Sequence, residues 1–282
     1  MILVFGKTGQ VARELQLIGN VKAIGRDHAD ISNPEICEDV IRSYSPKAVI
    51  NAAAYTKVDM AEKEENLATK INGDAPIVMA NTCADLGICF VHISTDYVFD
   101  GSGKKSWSEN DKTSPLGAYG RSKLIGEQGI KASKAVYAIL RTSWVFSSHG
   151  KNFLKTMLNL SENHNELEVV SDQIGGPTPA NEIAKTCLKI IDELQLDSSK
   201  SDIYHYSGKP DVSWAEFANE IFNQSRRKVK LSPILTSDYP TPASRPINSR
   251  MDCRNIENAF GIKRPDWRDG LSEILKDLEI LA

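Results

Sequence analysis

Residues 1–15 read Met1-Ile-Leu-Val-Phe5-Gly6-Lys-Thr-Gly9-Gln-Val-Ala12-Arg-Glu-Leu15. A short apolar run leads straight into glycines spaced G-x-x-G-x-x-A, and a helical pattern then puts Val11, Leu15 and Ile18 on one side. This is strand, tight turn, helix. Gly6 and Gly9 let the backbone turn and approach a diphosphate closely, while Ala12 keeps helix and strand near each other. The diphosphate would rest on the helix N-terminus, where free N–H groups and the macrodipole favour negative charge. The spacing differs from G-x-G-x-x-G, so a glycine-rich turn of any α/β protein is the competing reading.

Further along, β-rich runs alternate with helical segments to about residue 145. The predicted strands are Ile2–Phe5, Val21–Ile24, Ala48–Asn51, Cys89–Ile93 and Ala135–Leu140, with helices over Ala68–Leu86 and Ser122–Ser133. Strands alternating with helices imply an α/β fold with a doubly wound parallel sheet. From about 146 the pattern changes. Lys151–Ser161, Asn181–Leu194 and Trp214–Gln224 read as helices, the last capped by Ser213 with Glu216 completing a capping box. Pro233, Pro240, Pro242 and Pro246 mark an irregular stretch unsuited to core sheet.

Directly after the fourth predicted strand lies Ser94-Thr-Asp-Tyr-Val-Phe-Asp-Gly101, followed by Tyr119-Gly-Arg-Ser-Lys123. Helical positions i and i+4 share a face, so the Lys123 ammonium can approach the Tyr119 phenol. A phenol titrates near ~10 in water, and a nearby cation lowers that value towards the range of general acid–base work. Chance pairs of this spacing are common on surface helices; the N-terminal glycine turn is what gives this one weight. Thr95, at the strand end, can donate a hydrogen bond to a carbonyl oxygen as charge builds there, or merely cap the next turn.

After the second strand come Gly25-Arg26-Asp27 and Asp30-Ile31. An acid here holds a ribose 2′-hydroxyl, whereas an arginine accommodates a 2′-phosphate. Arg26 points to the phosphate, Asp27 and Asp30 to the hydroxyl, and an exposed turn arginine fits equally. Asn51-Ala-Ala-Ala54-Tyr55 leaves room for a ribose at the carboxyl end of its strand, or simply packs strand on helix.

At 282 residues the chain can hold one large or two medium domains. A net charge of -3 gives no global attraction to nucleic acid or anionic membrane. Apolar stretches are strand-length, so no membrane span is expected, and Met1–Phe5 lacks the basic lead of a secretion signal. Five cysteines without C-x-x-C spacing indicate reduced core thiols in the cytosol and no zinc site. The histidines lack metal-ligand spacing, and His92 reads as a hydrogen-bonded interior residue.

Taken together, these segments resemble the extended short-chain dehydrogenases/reductases and, within them, the dTDP-4-dehydrorhamnose reductases. Further stretches carry the likeness along nearly the whole chain: Asp30–Pro34, Asn51–Asp59, Arg141–Val145, Gly175–Pro179, Tyr204–Gly208, Arg245–Ser249 and Pro265–Arg268. The resemblance implies a Rossmann domain over 1–145. It also implies a smaller lobe for substrate, mainly 146–282, discontinuous and with segments returning to the Rossmann domain. The implied reaction is reduction of the 4-keto group of dTDP-4-dehydro-L-rhamnose to dTDP-L-rhamnose, for surface polysaccharide. Tyr119 is the implied proton donor, Thr95 holds the same oxygen, and Lys123 lowers the tyrosine pKa while binding the nicotinamide ribose.

The implied cofactor is NADPH, with NADH also accepted. Gly6, Thr8, Gly9, Gln10, Val11, Arg26, Asp30, Ile31, Ala53, Ala54 and Tyr55 would contact it beside Tyr119 and Lys123. Val58, Thr95, Asp96, Tyr97 and Trp144 would touch the dTDP-sugar, with Lys57 and Asp59 facing it, whereas Trp107, Trp214 and Trp267 read as lobe packing. Some family members join their lobes through magnesium; no marker here transfers that site, and no metal is expected. The expected state is a cytoplasmic monomer or homodimer with no nucleic-acid or membrane partner. Two other readings stand beside this one: a reductase of the dihydrostreptose-synthase type, and a non-catalytic NADP-binding regulator like the β subunit of methionine adenosyltransferase.

Overall fold

Six strands form one sheet in which every neighbouring pair is parallel: β1 (Ile2–Phe5), β2 (Val21–Ile24), β3 (Ala48–Asn51), β4 (Cys89–Thr95), β5 (Val136–Thr142) and β6 (Asp202–His205). The computed structural model describes residues 1–281, and in it the sheet order is β2-β1-β3-β4-β5-β6. β1 and β3 are buried along their whole length, the condition of strands covered on both faces. Helices Gln10–Ile18 and Ala180–Leu196 cover one face through Val11, Leu15, Ile183 and Ile190. Helices Glu35–Tyr44 and Ala75–Leu86 cover the other through Cys37, Ile41, Met79 and Cys83. The order reverses between β1 and β3, and a crevice opens at the carboxyl ends of strands at such a switch point.

Several elements differ from their expected bounds for identifiable reasons. β4 and β5 each run two residues further than expected, because Ser94 pairs with Arg141 and Thr95 with Thr142 in register. Polar residues are tolerated there because Glu127 receives both Ser94 Oγ and the Arg141 guanidinium, at 2.5 and 2.6 Å. Ile18, expected beside Val11 and Leu15, is exposed in the last turn before Gly19. Pro233 lies in a strand, Lys230–Ile234, rather than in irregular chain. That strand pairs only with Glu166–Val170 in a two-stranded ribbon, where a missing N–H breaks no central ladder.

Two helices set the position of the site. The expected helix 68–86 is one helical path from Glu65 to Leu86, widened by a π turn at Lys70–Asp74. That turn lets Asn72 accept from the Tyr55 N–H (2.8 Å) and donate to the Tyr55 carbonyl (3.1 Å) and Ser122 Oγ (3.0 Å). The second helix, Ala118–Ala132, starts four residues before its expected bound, which puts Tyr119 in its first turn. It lies so close to its neighbours that a Cβ on Gly120 would meet the Tyr97 carbonyl oxygen and one on Gly126 the Asn72 oxygen.

Beyond the sheet, helices Phe153–Leu160, Trp214–Ser225 and Trp267–Asp277 enclose a separate core around Phe146, Phe217 and Trp267. The capping box at Ser213 forms as read: Ser213 Oγ accepts the Glu216 N–H at 3.1 Å and Glu216 accepts the Ser213 N–H at 2.6 Å. All five cysteines are buried and free.

Candidate active site

A cleft of about 910 Å³ opens at the switch point, between the carboxyl ends of β1 and β3 and the second core. Gly6 has φ +110°, and a Cβ there would lie 2.9 Å from the Ala52 carbonyl carbon and the Ala53 nitrogen. The glycine is therefore required both for its backbone angle and for the close approach of the two strand ends. Gly9 occupies the N-cap of the following helix and supplies no side-chain cap, so the first N–H groups stay open to the cleft. Thr8 and Val11 line the cleft as expected, and so does Gln10. The Gln10 amide oxygen is committed elsewhere: it accepts from Ser147 Oγ and Asn152 Nδ2, both at 2.9 Å. This ties the glycine turn to the loop carrying Gly150 and Lys151, which also line the cleft.

At the far end of the cleft, Thr95, Asp96, Tyr97, Tyr119 and Lys123 converge. Of the two readings of Thr95, the cap is present, and the residue also lines the cleft. Its Oγ1 accepts the Tyr97 N–H at 3.2 Å, capping the turn, and its hydroxyl lies 3.2 Å from Asp96 Oδ1. Tyr97 packs edge-on against Tyr119, ring centroids 5.5 Å apart. Two buried polar atoms here have no hydrogen-bond partner: Asp96 Oδ2 and Thr142 Oγ1. Burial pushes the Asp96 carboxyl up to about 6.

The tyrosine–lysine pair differs from its expectation in one respect. Burial pushes Tyr119 up to about 12, opposed by the Thr95 hydroxyl. Lys123 turns away to the sheet: its Nζ donates to the Ile93 carbonyl at 2.7 Å and sits 2.9 Å from His92 Nε2. Burial lowers Lys123 to about 7, against the pull of Glu127. In this state the phenol is a protonated acid rather than an activated base.

Over residues 1–280 the sequence matches the family described as the RmlD substrate binding domain. The chain belongs to this family. The dTDP-4-dehydrorhamnose reductase of Sinorhizobium fredii is 39% identical over 285 residues, covering 97% of this chain and 96% of that protein. A dTDP-4-dehydrorhamnose reductase from Clostridium acetobutylicum has a crystal structure that matches with a TM-score of 0.92 at 39% identity, covering 99% of both chains. The dTDP-4-dehydrorhamnose reductase of Bacillus anthracis, solved in complex with NADP, matches with a TM-score of 0.91 at 34% identity over 98% of each chain.

Measured against this RmlD-family chain's own cleft, most expected site residues line it: Gly6, Gly9, Arg26, Ile31, Ala53, Ala54, Val58 and Trp144 join those already placed. Four do not. Asp30 turns aside to accept the Ser32 N–H at 3.0 Å, which holds its carboxyl below the usual range. Tyr55 packs with Ala61, Ala68 and Ile71 and donates its hydroxyl to Glu64 at 2.5 Å. Asp59 pairs with Arg245 at 2.8 Å, and the exposed Lys57 stays outside.

One lining residue does more than the lobe packing read for it. Trp214 lines the cleft and stacks on Trp144 rather than serving only as lobe packing. Its place at the first position of a capped helix after Ser213 was legible; which way the helix start faced was not. Lys7, Lys151 and Ser143 also line the cleft, and no local pattern marks them.

Proposed function

We propose that this protein is an NADPH-dependent reductase that converts the 4-keto group of dTDP-4-dehydro-L-rhamnose to the alcohol of dTDP-L-rhamnose. The observation that carries the reading is the convergence of Thr95, Tyr119 and Lys123 on a cleft floored by the Gly6–Val11 turn. The residues fit a dinucleotide: Gly6 leaves a cradle that a Cβ would fill, and an open helix N-terminus faces it. The unpartnered Thr142 Oγ1 and Asp96 Oδ2 offer polar partners deeper in the cleft. The relatives named for this activity match nearly the whole chain.

In this reading the first half of the chain, about 1–145, holds the cofactor, and pieces of 146–282 form the wall for the sugar nucleotide. Gly6, Gly9 and the first turn of helix Gln10–Ile18 hold the diphosphate, Ala53 and Ala54 border the ribose, and Arg26 meets the 2′-phosphate. The bound cofactor supplies hydride. Thr95 and Tyr119 orient the keto oxygen and stabilise the negative charge that develops on it. Tyr119 then gives its proton to the alkoxide and is left as a phenolate. Asp96, Tyr97, Val58 and the Trp144–Trp214 pair position the sugar. NADH fits the same cradle with the loss of the Arg26 contact.

Incubating the protein with NADPH and the 4-keto sugar nucleotide, then identifying the product by NMR, tests this. The rhamno product with matching NADPH oxidation is expected. Absence of turnover, or a different C4 epimer, sinks the assignment.

A further inference from the structure

Asn51, His92 and Lys123 form a line behind the catalytic face of helix Ala118–Ala132, and none is more than 1% exposed. Asn51 and His92 face each other across neighbouring strands, Asn51 Nδ2 standing 3.1 Å from His92 Nδ1. His92 Nε2 stands 2.9 Å from Lys123 Nζ. Backbone groups fix both ends. The Ala53 N–H donates to Asn51 Oδ1 at 3.1 Å, and Lys123 Nζ donates to the Ile93 carbonyl at 2.7 Å.

Counting hydrogens decides the state of each group. With its oxygen taken by Ala53, Asn51 turns its amide N–H towards His92 Nδ1, which must therefore present a lone pair. A neutral imidazole then carries its one hydrogen on Nε2, pointing at Lys123. An ammonium has no lone pair to receive it. A neutral amine has one, and still donates to Ile93. Turning the Asn51 amide over only moves the conflict, since two donors would then meet at Ala53. A doubly protonated imidazole would face donors at both ends and bury an unpaired cation.

We propose that His92 is a positioning residue that holds Lys123 as a neutral amine in the free protein, so that binding of the anionic cofactor loads Lys123 with a proton. Burial acts in the same direction, keeping His92 well below 6.5 and Lys123 near 7. The surrounding titratable groups leave this state intact. Glu127, one turn along, is held by Arg141 and Ser94 at 2.6 and 2.5 Å, Tyr119 stays protonated, and Asp96 is raised.

The loaded proton balances the chemistry. Solvent H⁺ joins the Lys123 amine to make an ammonium, and Tyr119 gives its own proton to the alkoxide, so the new cation offsets the charge of the phenolate left one helical turn away. As Lys123 charges, the His92 hydrogen moves to Nδ1 and Asn51 turns its oxygen to receive it. That sets the Asn51 amide N–H against the Ala53 N–H, the donor conflict that keeps this arrangement out of the free protein, and the charge of the bound cofactor outweighs it. The tautomer stands without reference to the reductase reading; the proton loading rests on it.

Two measurements test the proposal. Long-range ¹H–¹⁵N NMR of histidine-labelled, cofactor-free protein above pH 7 should show His92 with a bare Nδ1 and a protonated Nε2. A hydrogen on Nδ1, or on both nitrogens, overturns the proposal. Calorimetry of NADPH binding in buffers of different ionisation enthalpy should report about one proton taken up per chain above pH 7. Asn51→Asp supplies a second acceptor oxygen, so Nδ1 takes the hydrogen and Lys123 is charged beforehand; its uptake should fall close to zero. No uptake in the wild type, or unchanged uptake in Asn51→Asp, overturns the loading step. Failure of NADPH to bind at all would refute the cofactor reading, with the tautomer still decided by NMR.

Discussion

Trp144 and Trp214 lie face to face, ring centroids 3.5 Å apart and planes within 9°. Trp144 adopts φ +49°, a left-handed angle unfavourable for a bulky residue. The surroundings hold it there: a Cβ on Gly175 would lie 2.9 Å from its ring, and Trp214 is anchored by its own Nε1–H to Gln173 at 3.1 Å. Trp214→Leu removes the backing of Trp144 without touching the glycine turn. An aromatic pair of this kind contributes ~0.5–1.5 kcal/mol beyond its area, so KM for the sugar nucleotide should rise roughly 2- to 10-fold. NADPH affinity by fluorescence titration should stay unchanged; an equal loss for both ligands would make the pair a fold element only.

Tyr119→Phe removes one hydroxyl and keeps the edge-on contact with Tyr97. NADPH affinity should be nearly unchanged while kcat falls by roughly 10²–10⁴, the reach of general acid catalysis. Steady-state kinetics beside cofactor titration separate the two. Wild-type kcat in this variant would remove Tyr119 as the proton donor.

The parts legible in the sequence share a cause. β1, β3 and the glycine turn announce themselves because buried parallel strands are continuous apolar runs and because Gly6 answers a backbone demand. The ends of β4 and β5 were hidden because Ser94, Thr95, Arg141 and Thr142 are polar, and only the distant Glu127 makes their burial tolerable. Tyr55 and Asp30 show the opposite case. Their local motifs place them just past strand ends, and the partners each meets, Glu64 and Asn72 for Tyr55 and the Ser32 N–H for Asp30, set which way the side chain turns. The direction of Lys123 depends on His92, thirty-one residues away, and helical spacing alone carries no sign of it.

Lys123→Met should change how stability depends on pH. Lys123 titrates near 7 in the folded chain against 10.5 for an ordinary lysine. Between those values the unfolded chain holds a proton that the folded chain lacks, so wild-type stability gains up to about 1.4 kcal/mol per pH unit from this group. Below pH 7 both states are protonated and the penalty of the buried cation is fully present. Thermal melts should therefore show the wild type gaining on Lys123→Met as pH rises from 7 to 10.5. A pH-independent difference would mean that Lys123 is charged throughout.

Glu127→Ala should be the most destabilising of these changes. Arg141 and Glu127 are each 2% exposed and meet at 2.6 Å, so the variant leaves a buried guanidinium without its partner. Breaking such a pair costs ~3–5 kcal/mol, which lowers Tm by about 10 °C in a chain of this size. Glu127→Gln keeps an oxygen for Arg141 and should lose less. Differential scanning calorimetry of both variants checks the order, and equal losses would show that shape rather than charge matters.

Arg26 decides cofactor preference in this reading. It follows β2 and lies exposed along the cleft, and among the described residues no carboxylate pairs with it within 4.0 Å. The two acids that point to a bare ribose in the sequence are engaged elsewhere, Asp27 with His28 at 2.8 Å and Asp30 with the Ser32 N–H. Arg26 is therefore free to meet a 2′-phosphate, and only NADPH carries one. Arg26→Ala should weaken NADPH by about tenfold, the usual size of a lost charge-assisted contact. NADH should bind as before. Because the side chain is exposed, added salt should shrink the difference in the wild type and leave the variant nearly unaffected. Parallel titrations with both cofactors at low and high salt read all of this. Equal losses for NADPH and NADH, or a preference that salt does not move, would place the 2′-phosphate on another cation of the cleft, with Lys7 the nearest along the chain.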